Sequence, residues 1–410
     1  MNLILISEFM QDEIYLNEEV KFYDDFDKVI LFTVKGHVYS NNHLTIPDYI
    51  DVGKLDIHYN SNLNRIKYLL KGVFNIESFR EFLYLIKSKK MSLSSLMRYL
   101  LFSSKSYLVY DNIKKRLNDF NLDKSESIVF YTYRIGPATF ASYKLKKDYP
   151  NSKLVSRSHA QDIFEFRNKE EYLPYRSDLY KNIDEIYCIS EDGKKYLENK
   201  YDFNQKNVFI YRLGTRDVGI NTNITNNNFV IITCSRIARI KRLTIIAEAL
   251  KCIEREDITW IHFGDGDDDY LNEVKNILNS CNRNIKFEFR GFVDNRVYLD
   301  LISNIPFSIF INVSESEGLP VSIMEVESVG APVIATDVGG TSEAVVNGYN
   351  GILLPKNLTP EDLARSILIF KNMSNEDFIE YSNNSRKKWE EYFNYELNYH
   401  KFIKHLEGLK

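Results

Sequence analysis

The sequence predicts an α/β protein with two doubly wound domains, and three observations support that prediction. The chain has 410 residues, more than the ~250–300 residues over which a single hydrophobic core grows. Short apolar runs alternate with helical patterns along most of the chain, which is typical of parallel sheets covered by helices. A polar, asparagine-rich stretch at residues 219–228 interrupts this alternation and is interpreted as a linker between the domains.

The predicted first domain, residues 1–218, contains six strand-like apolar runs. They are MNLILISEF at the start, VILFTV from Val29, SIVFYTYR at 127–134, KLVSRSH at 153–159, EIYCIS at 185–190 and VFIYRLG at 208–214. The first run has no basic leader, so it predicts a buried strand rather than a signal peptide. Ser190 is expected to cap the helix that follows the fifth run.

The predicted second domain, residues 229–373, contains six more strand-like runs. They are FVIITCS, TWIHFG, KFEFRGF, PFSIFINV, PVIAT and GILLP, in that order. Helical patterns separate them, as in an open parallel sheet that binds ligands at the carboxyl ends of its strands. Residues 374–410 carry aromatic side chains at helical spacing and are predicted to form terminal packing helices.

Composition excludes several classes of protein. The 53 basic and 57 acidic residues give a net charge of −4, too balanced for a chain that wraps nucleic acid, so no nucleic-acid partner is expected. The four cysteines lie far apart without a C-x-x-C pair, which fits neither a zinc cage nor a disulfide framework and indicates a reducing cytoplasm. The sequence contains no run of ~18 apolar residues that would predict a membrane span.

Residues 65–116 are strongly basic. They contain twelve Lys or Arg and three acids, a net charge of +9, whereas the rest of the chain carries −13. Within them, FLYLIKSKKMSLSSLMRYLLF interleaves apolar and basic residues, which predicts a surface helix that lies on anionic lipid or holds a phosphate-bearing substrate. An ordinary solvated helical face is the alternative, and the sequence leaves it open.

The strongest motif, at residues 314–340, joins a strand end, a turn, a helix and the next strand. Its turn consists of Glu317, Gly318, Leu319 and Pro320. Gly318 would let a ligand approach the backbone closely, and Pro320 suits the first position of a helix. The free N–H groups of Val321 and Ser322, together with the helix dipole, would bind an anion such as a diphosphate.

Two glutamates follow on the same predicted helix. Glu325 lies ~7.5 Å beyond the helix start at the usual helical rise, which is a suitable distance from a phosphate to the ribose hydroxyls of one nucleotide. Glu327 lies two residues further on and points to the opposite face, so it is interpreted as a solvated acid.

The stretch SRIARIK follows the first strand of the second domain. Arg236 could grip phosphate oxygens with its planar guanidinium while Lys241 adds a point charge, which suits a departing diphosphate. Arg239 and Arg242 belong to the same stretch and are interpreted as solvated basic residues.

His159 lies at a strand end of the first domain. A neutral imidazole there could donate to a sugar hydroxyl or to the diphosphate, and a structural histidine bonded to backbone is the competing account. Asp162 is expected either to bind the acceptor or to cap the following segment.

The acid-rich stretch HFGDGDDDY, at 262–270, is a weak candidate for a metal site. Counted from Asp265, its sixth and twelfth positions are Tyr270 and Asn276, which excludes a calcium loop of the EF-hand type. A polar turn with freedom at Gly264 and Gly266 is the preferred interpretation, and no metal is expected.

Taken in order, these motifs resemble those of the family-4 glycosyltransferases of the GT-B fold, in which two Rossmann-like domains face each other across a cleft. The resemblance rests on Glu317 and Glu325, on the preceding Arg236 and Lys241, and on Gly264-Asp265-Gly266 and RGFVDN between them. It implies that the two cations bind the donor diphosphate, that Glu317 lies beside the transferred sugar and that Glu325 holds the ribose. RSHAQDIFEF resembles the family loop whose histidine, here His159, approaches the donor.

The expected site follows from the motifs and the resemblance together. The expected catalytic residues are His159, Arg236, Lys241 and Glu317, and the expected donor-binding residues are Arg236, Lys241, Gly264, Phe292, Val293, Glu317, Gly318, Leu319, Pro320, Val321 and Glu325. RGFVDN, around Phe292 and Val293, would meet the nucleotide base. Many members of the family carry a Gly-Gly near the N-terminus, and this chain has SEFMQDEIYLNEE there, with Glu13 as an acid of uncertain role.

The resemblance implies a retaining, metal-independent transfer of sugar from a nucleotide diphosphate sugar, with UDP-sugar favoured. The expected acceptor is a glycan, lipid-linked, used in cell-surface polysaccharide synthesis at the cytoplasmic face of the membrane. The alternatives are a GDP-mannose-using enzyme, a transferase acting on protein, a sugar-nucleotide epimerase and a catalytically silent partner of another transferase. A nicotinamide dehydrogenase is disfavoured because no G-x-G-x-x-G follows the first strand.

Overall fold

The computed structural model describes residues 1–7, 14–34, 46–55, 61–201 and 207–409. The chain divides into two compact units, Met1–Tyr211 with Tyr399–Lys410, and Arg212–Asn398. Each unit is built on one parallel sheet, so the predicted fold class is confirmed. Glu13, whose role the sequence left open, lies outside the described residues.

The first unit contains a seven-stranded parallel sheet in the order β3-β2-β1-β4-β5-β6-β7. The strands are β1 Asn2–Ser7, β2 Lys28–Val34, β3 Ile50–Leu55, β4 Ile128–Thr132, β5 Ser152–Ser158, β6 Glu185–Cys188 and β7 Val208–Ile210. The helices are α1 Ile14–Glu19, α2 Asn62–Val73, α3 Ile76–Lys87, α4 Leu93–Leu117, α5 Pro137–Lys146, α6 Ala160–Ile163, α7 Arg176–Asn182 and α8 Glu191–Lys200. As predicted, Ser190 caps α8 by accepting from the Gly193 N–H at 3.1 Å.

Some strands of the first sheet are easier to predict from the sequence than others. β1 and β4 are buried along their whole length, since helices cover both faces of a parallel sheet. β3, at the sheet edge, was not predicted from the sequence. Its six residues IDVGKL alternate between buried and exposed positions and lack a continuous apolar run.

A buried ion pair joins β5 to α1 in the first unit. Arg157 and Glu19 are both fully buried, and the guanidinium donates to the carboxylate at 2.6 Å. The Tyr131 and Tyr23 hydroxyls donate to the other carboxylate oxygen at 2.9 and 2.6 Å. The Phe402 ring, from the last helix, covers the guanidinium at 4.3 Å, so the end of the chain packs on the first unit.

The second unit contains a six-stranded parallel sheet in the order β10-β9-β8-β11-β12-β13. The strands are β8 Val230–Cys234, β9 Ile258–Phe263, β10 Ile285–Phe289, β11 Ile309–Asn312, β12 Val333–Thr336 and β13 Gly351–Leu354. The helices are α9 Leu243–Lys251, α10 Asp268–Asn279, α11 Asn295–Asn304, α12 Val321–Ser328, α13 Thr341–Ala344, α14 Pro360–Lys371, α15 Asn375–Tyr392 and α16 Tyr395–Glu407, whose second half belongs to the first unit. All six strands correspond to the six apolar runs of the sequence.

The division between the units falls after Tyr211, so the stretch 219–228 lies inside the second unit. Its polar side chains make hydrogen bonds within that unit. Asn221 is buried, and its side-chain amide donates to the carbonyls of Ile302 and Ile305, both at 2.8 Å. The asparagines thus satisfy backbone groups at the end of α11, which a polar sequence alone does not reveal.

The basic segment 65–116 folds into α2, α3 and α4. The longest, α4, has 25 residues. Within the described part of the chain, no helix combines the length and the hydropathy that crossing a bilayer would require.

Candidate functional site

Two loops at the carboxyl edge of the second sheet are paired through their backbones. Ile237, after β8, donates its N–H to the Asp265 carbonyl at 2.7 Å, and its own carbonyl accepts from the Asp267 N–H at 2.9 Å. Asp265 and Asp267 follow β9, so the pairing joins the ends of two neighbouring strands. It also fixes the backbone at Arg236, the residue that precedes Ile237.

Gly264 lets the same two loops approach each other one residue before Asp265. Its φ is +131°, and a Cβ at this position would lie 1.9 Å from the Ser235 carbonyl oxygen. Asp267 caps α10 by accepting from the Tyr270 N–H at 2.9 Å. The acid-rich stretch is therefore a turn, as the sequence predicted, and its last residues begin α10.

Replacing Gly264 with alanine is expected to destabilise the protein by about 2 kcal/mol or more, because backbone atoms must move to admit the new Cβ. Gly348→Ala is the matched control, since Gly348 also has a positive φ, +77°, but no atom lies within 4 Å of its Cβ position. Its cost should be limited to backbone strain of about 1 kcal/mol. Urea unfolding of both variants checks the difference, and equal midpoints would contradict the steric role of Gly264.

A cavity of about 330 Å³ opens beside these loops. It is lined by Cys234, Ser235, Arg236, Phe263, Gly264, Asp265, Phe292, Val293 and Tyr298. Four of the predicted donor-binding residues therefore surround one space. The Phe292 side chain is 74% exposed, and Arg236 is exposed without a hydrogen bond or ion pair to any described residue. An exposed ring and a free guanidinium at one cavity can stack on a base and bind an anion.

The turn before α12 exposes backbone donors. Pro320 is the residue that precedes the helix, one position earlier than predicted, and it offers no side-chain cap. Among the described residues, the N–H groups of Val321 and Ser322 have no hydrogen-bond partner. Leu319 is buried in the core of the second unit, which anchors the turn.

Gly339 and Gly340 pack against the backbone of this turn at Glu317 and Gly318, a role that the sequence analysis did not predict. Gly340 N–H donates to the Gly318 carbonyl at 2.7 Å. A Cβ on Gly339 would lie 2.1 Å from the Glu317 carbonyl oxygen, so only glycine allows the two backbones to approach. The two glycines stand at the end of the strongest motif, which is the feature that could have identified them.

Lys241 and Glu317 form an ion pair. The Lys241 ammonium donates to Glu317 Oε1 at 2.6 Å, and both side chains are largely buried. Asn312, at the end of β11, makes a longer contact of 3.4 Å with the same oxygen. The ammonium has three donors, so it can hold the carboxylate and a further anion together.

Glu325 is buried on α12. Its Oε1 accepts from the Asn295 side-chain amide at 2.7 Å. Burial raises the pKa of Glu325 to about 7, and the Asn295 hydrogen bond offsets part of that effect. Burial, and next the charge of Glu325, raise the pKa of the cavity-lining Cys234 thiol to about 12. Glu325 therefore lies close to the cavity, and Asn295 is a site residue that the sequence analysis did not single out, although it ends the RGFVDN stretch.

Glu327 is not the solvated acid that the sequence predicted. It is fully buried, and its Oε1 accepts from the Asn350 side-chain amide at 2.8 Å. Burial raises the pKa of Glu327 well above its usual value. Helical periodicity predicted which face of α12 carries Glu327, but it could not show that Asn350 covers that face.

Arg242 also differs from the prediction. Its guanidinium donates to the backbone carbonyls of Val313, Ser314 and Lys356, at 2.6, 2.9 and 2.6 Å. It therefore joins the loop after β8 to the loop after β11. Arg239 is 70% exposed and pairs with Glu273 at 3.0 Å, which agrees with its interpretation as a solvated residue.

His159 belongs to the first unit, at the end of β5. Its Nε2–H donates to the Tyr133 carbonyl at 3.1 Å, as in the structural account. Burial, and then the nearby Arg134 and Arg157 charges, lower the pKa of His159 well below its usual value. The neutral ring therefore presents Nδ1 as an acceptor, not as the donor that the sequence analysis expected. Asp162 accepts from the His159 backbone N–H at 3.1 Å, which is the capping role.

Comparison with known proteins identifies the second unit. Residues 220–392 match the sequence model of the family described as glycosyl transferases group 1. The second unit therefore resembles a group 1 glycosyltransferase domain over nearly its whole length. Arg236, Lys241, Glu317 and Glu325 all lie within the matched residues.

The similarity to curated relatives covers most of the chain. An uncharacterized glycosyltransferase of Methanocaldococcus jannaschii is 26% identical over 358 residues, which are 85% of this chain and 92% of that protein. WcaL of Escherichia coli, a glycosyltransferase assigned to colanic acid biosynthesis, is 22% identical over 270 residues, which are 64% of this chain and 66% of that protein. The chain is thus similar to a protein assigned to polysaccharide biosynthesis.

Solved structures extend the likeness to the whole fold. The crystal structure of Anabaena HepE in complex with UDP has a TM-score of 0.66 at 14% identity, over 99% of each chain. Another crystal structure of HepE, in complex with UDP-glucose, has a TM-score of 0.63 at 15% identity, over 100% of each chain. The chain therefore has the GT-B fold, with two Rossmann-like domains.

Proposed function

We propose that this glycosyltransferase moves a sugar from a UDP-sugar to a hydroxyl of a lipid-linked glycan, with retention of the anomeric configuration. One observation carries the proposal. A cavity of about 330 Å³ at the carboxyl edge of the second sheet is lined by Arg236 and Phe292 and lies close to the buried carboxylate of Glu325. The ordered motifs support membership of family 4.

In the proposed donor site, each protein group binds the part of the nucleotide to which it is chemically suited. Phe292 stacks on the base, and Glu325 accepts hydrogen bonds from both ribose hydroxyls. Arg236 and Lys241 bind the diphosphate, together with the free amides at the start of α12. UDP is favoured over GDP because the structurally similar HepE binds UDP and UDP-glucose.

The proposed reaction takes place on one face of the sugar. The bond from the anomeric carbon to the diphosphate oxygen breaks, and the acceptor oxygen bonds to the same carbon from the side that the diphosphate leaves. The acceptor proton passes to the departing phosphate oxygen. Lys241 and Arg236 stabilise the negative charge that the diphosphate gains, so the proposal requires no metal ion.

The proposed acceptor site is a cavity of about 250 Å³ in the first unit. Arg98, Arg134 and Arg176 line it together with apolar side chains and Asp162. Arg176 is 5% exposed, and its Nη1 lacks a hydrogen-bond partner among the described residues. A cavity with three guanidinium groups and one carboxylate suits an acceptor that carries a phosphate, as a lipid-linked glycan does.

The first test measures which nucleotide the protein binds. Thermal unfolding is followed with UDP, GDP and ADP, because a ligand that binds the folded state raises the melting temperature. We expect the largest shift with UDP. A larger shift with GDP would overturn the choice of base, and no shift with any diphosphate would overturn the donor site.

The second test measures the reaction. The protein is incubated with UDP-sugars alone and with glycan acceptors, and UDP release and sugar isomers are analysed. Release of UDP, increased by an acceptor, supports transfer. An isomerised UDP-sugar would indicate an epimerase, and bound but unconsumed donor would indicate a silent partner.

A further inference from the structure

Three helices of the first unit present apolar stripes to solvent. The stripes are Leu63, Ile66, Leu70 and Val73 on α2, Ile76, Phe79, Leu83 and Ile86 on α3, and Leu93, Met97 and Leu101 on α4, all exposed. Their spacing of three or four residues places each set on one face of its helix. Helices of a soluble domain normally bury such a stripe, so a set of neighbouring exposed stripes indicates an interaction surface.

The faces that these helices bury carry polar groups beside apolar core residues such as Leu85 and Tyr99. Glu77 of α3 accepts from Lys144, and Glu81 accepts from the Tyr175 N–H at 2.9 Å. At the end of α2, the carbonyl of Gly72 accepts from the Ser103 hydroxyl of α4 at 2.8 Å. These buried polar contacts fix which face of each helix packs inward. The outward orientation of the stripes is therefore specified by the fold.

Within residues 61–101, which carry the stripes, the exposed charges are all positive. Glu77 and Glu81 are the only acids in residues 61–101, and both are buried. Arg65, Lys67 and Lys87 are exposed on α2 and α3. These residues thus combine apolar side chains with cations and contribute no exposed carboxylate.

We infer that α2, α3 and the start of α4 form a docking surface for an anionic lipid bilayer. The stripes enter the interface between headgroups and acyl chains, and the lysines and arginines bind lipid phosphates. A protein partner would not require every charge on this surface to have one sign. The inference deepens the lipid-linked acceptor proposed above, and vesicle binding tests it without donor or acceptor.

The test uses the full-length protein and lipid vesicles. Sedimentation is measured with phosphatidylcholine vesicles and with vesicles that contain about 30% phosphatidylglycerol, at low and high salt. We expect binding to the anionic vesicles that weakens with salt. Replacing Arg65, Lys67 and Lys87 with glutamine should lower this affinity at least tenfold.

The apolar contribution is tested with a matched pair of variants. Leu63, Phe74 and Leu93 are the three most exposed apolar residues of the segment, at 79%, 79% and 75%, so changing them to serine removes little packing. This variant should lose at least tenfold in vesicle affinity. The control changes Ile369, Ile379 and Leu397, exposed residues of the second unit, to serine and should bind like the wild type.

Three results would overturn the inference. The first is no binding of the wild type to anionic vesicles, and the second is an equal loss of vesicle affinity in the two serine variants. The third is a wild-type dimer, detected by light scattering, that is lost only in the first serine variant while that variant still binds vesicles. The last result would identify the stripes as a contact between copies. Because UDP binding is measured on the same variants, a failed docking surface is distinguished from a failed donor site.

Discussion

Replacing Lys241 with methionine is expected to lower the rate of UDP release from a UDP-sugar by about 10²–10³-fold. The ammonium lies at the end of the loop after β8, where the proposed diphosphate gains charge as the glycosidic bond breaks. Methionine fills a similar volume without a charge, so the lost stabilisation falls mainly on the transition state and lowers kcat more than it raises KM. Steady-state kinetics of donor hydrolysis measures both constants.

Arg239→Gln is the matched control for Lys241→Met. Arg239 belongs to the same short helical turn but is 70% exposed and pairs with Glu273. Its loss should change the rate less than twofold, as a surface ion pair contributes little. If the two variants lose activity equally, the effect is one of net charge and the proposed role of Lys241 is wrong.

The buried strands could be predicted because burial on both faces leaves a continuous apolar run. Most of the thirteen strands have such a run. β10, with the sequence IKFEF, alternates apolar and charged residues and was predicted without one, whereas β3 was not predicted. Its residues Asp51 and Lys54 are exposed at the sheet edge, and its pairing with β2 alone makes it a strand. Edge strands depend on a neighbour that the local sequence does not contain.

The parts of the site that depend on local sequence were predicted, and the parts that depend on distant contacts were not. The turn at Gly318 and Pro320 follows from which residues can begin a helix. Asn295 is 30 residues from the glutamate it binds, and Arg242 is about 70 residues from two of the carbonyls it joins. No spacing rule relates such positions, since only the sheet order brings them together.

Glu325→Gln is expected to weaken UDP binding and to remove the part of its pH dependence between about pH 5 and 8 that comes from the Glu325 carboxyl group. The pKa of Glu325 in the ligand-free protein is about 7. The proposed ribose contact uses the ionised carboxylate, so below pH 7 binding must first remove a proton and affinity falls up to about tenfold per pH unit. Glutamine accepts a hydrogen bond more weakly than a carboxylate, and we expect a loss of about tenfold or more at pH 8.

The same substitution should stabilise the ligand-free protein at high pH. Folding raises the pKa of Glu325 from 4.5 to about 7, so the folded state holds the proton more tightly and stability falls as pH rises between these values. The ionised side chain then costs about 3 kcal/mol above pH 7. Glu325→Gln removes that cost, and the free energy of unfolding should rise at pH 8 and change little at pH 4.5.

Glu327→Gln separates the two effects. Glu327 is also buried on α12 with a raised pKa, but it faces Asn350 and lies outside the proposed site. Its replacement should raise the free energy of unfolding at high pH and leave UDP affinity unchanged.

Calorimetric titration with UDP from pH 5.5 to 8 measures the UDP affinity of the wild type and of both variants. The terminal phosphate of UDP takes up a proton at about pH 6, and this affects the UDP affinity of all three proteins equally. The part of the slope of affinity against pH that is lost only in Glu325→Gln is therefore due to Glu325. Equal slopes in the wild type and Glu325→Gln would show that this carboxylate does not hold the ribose.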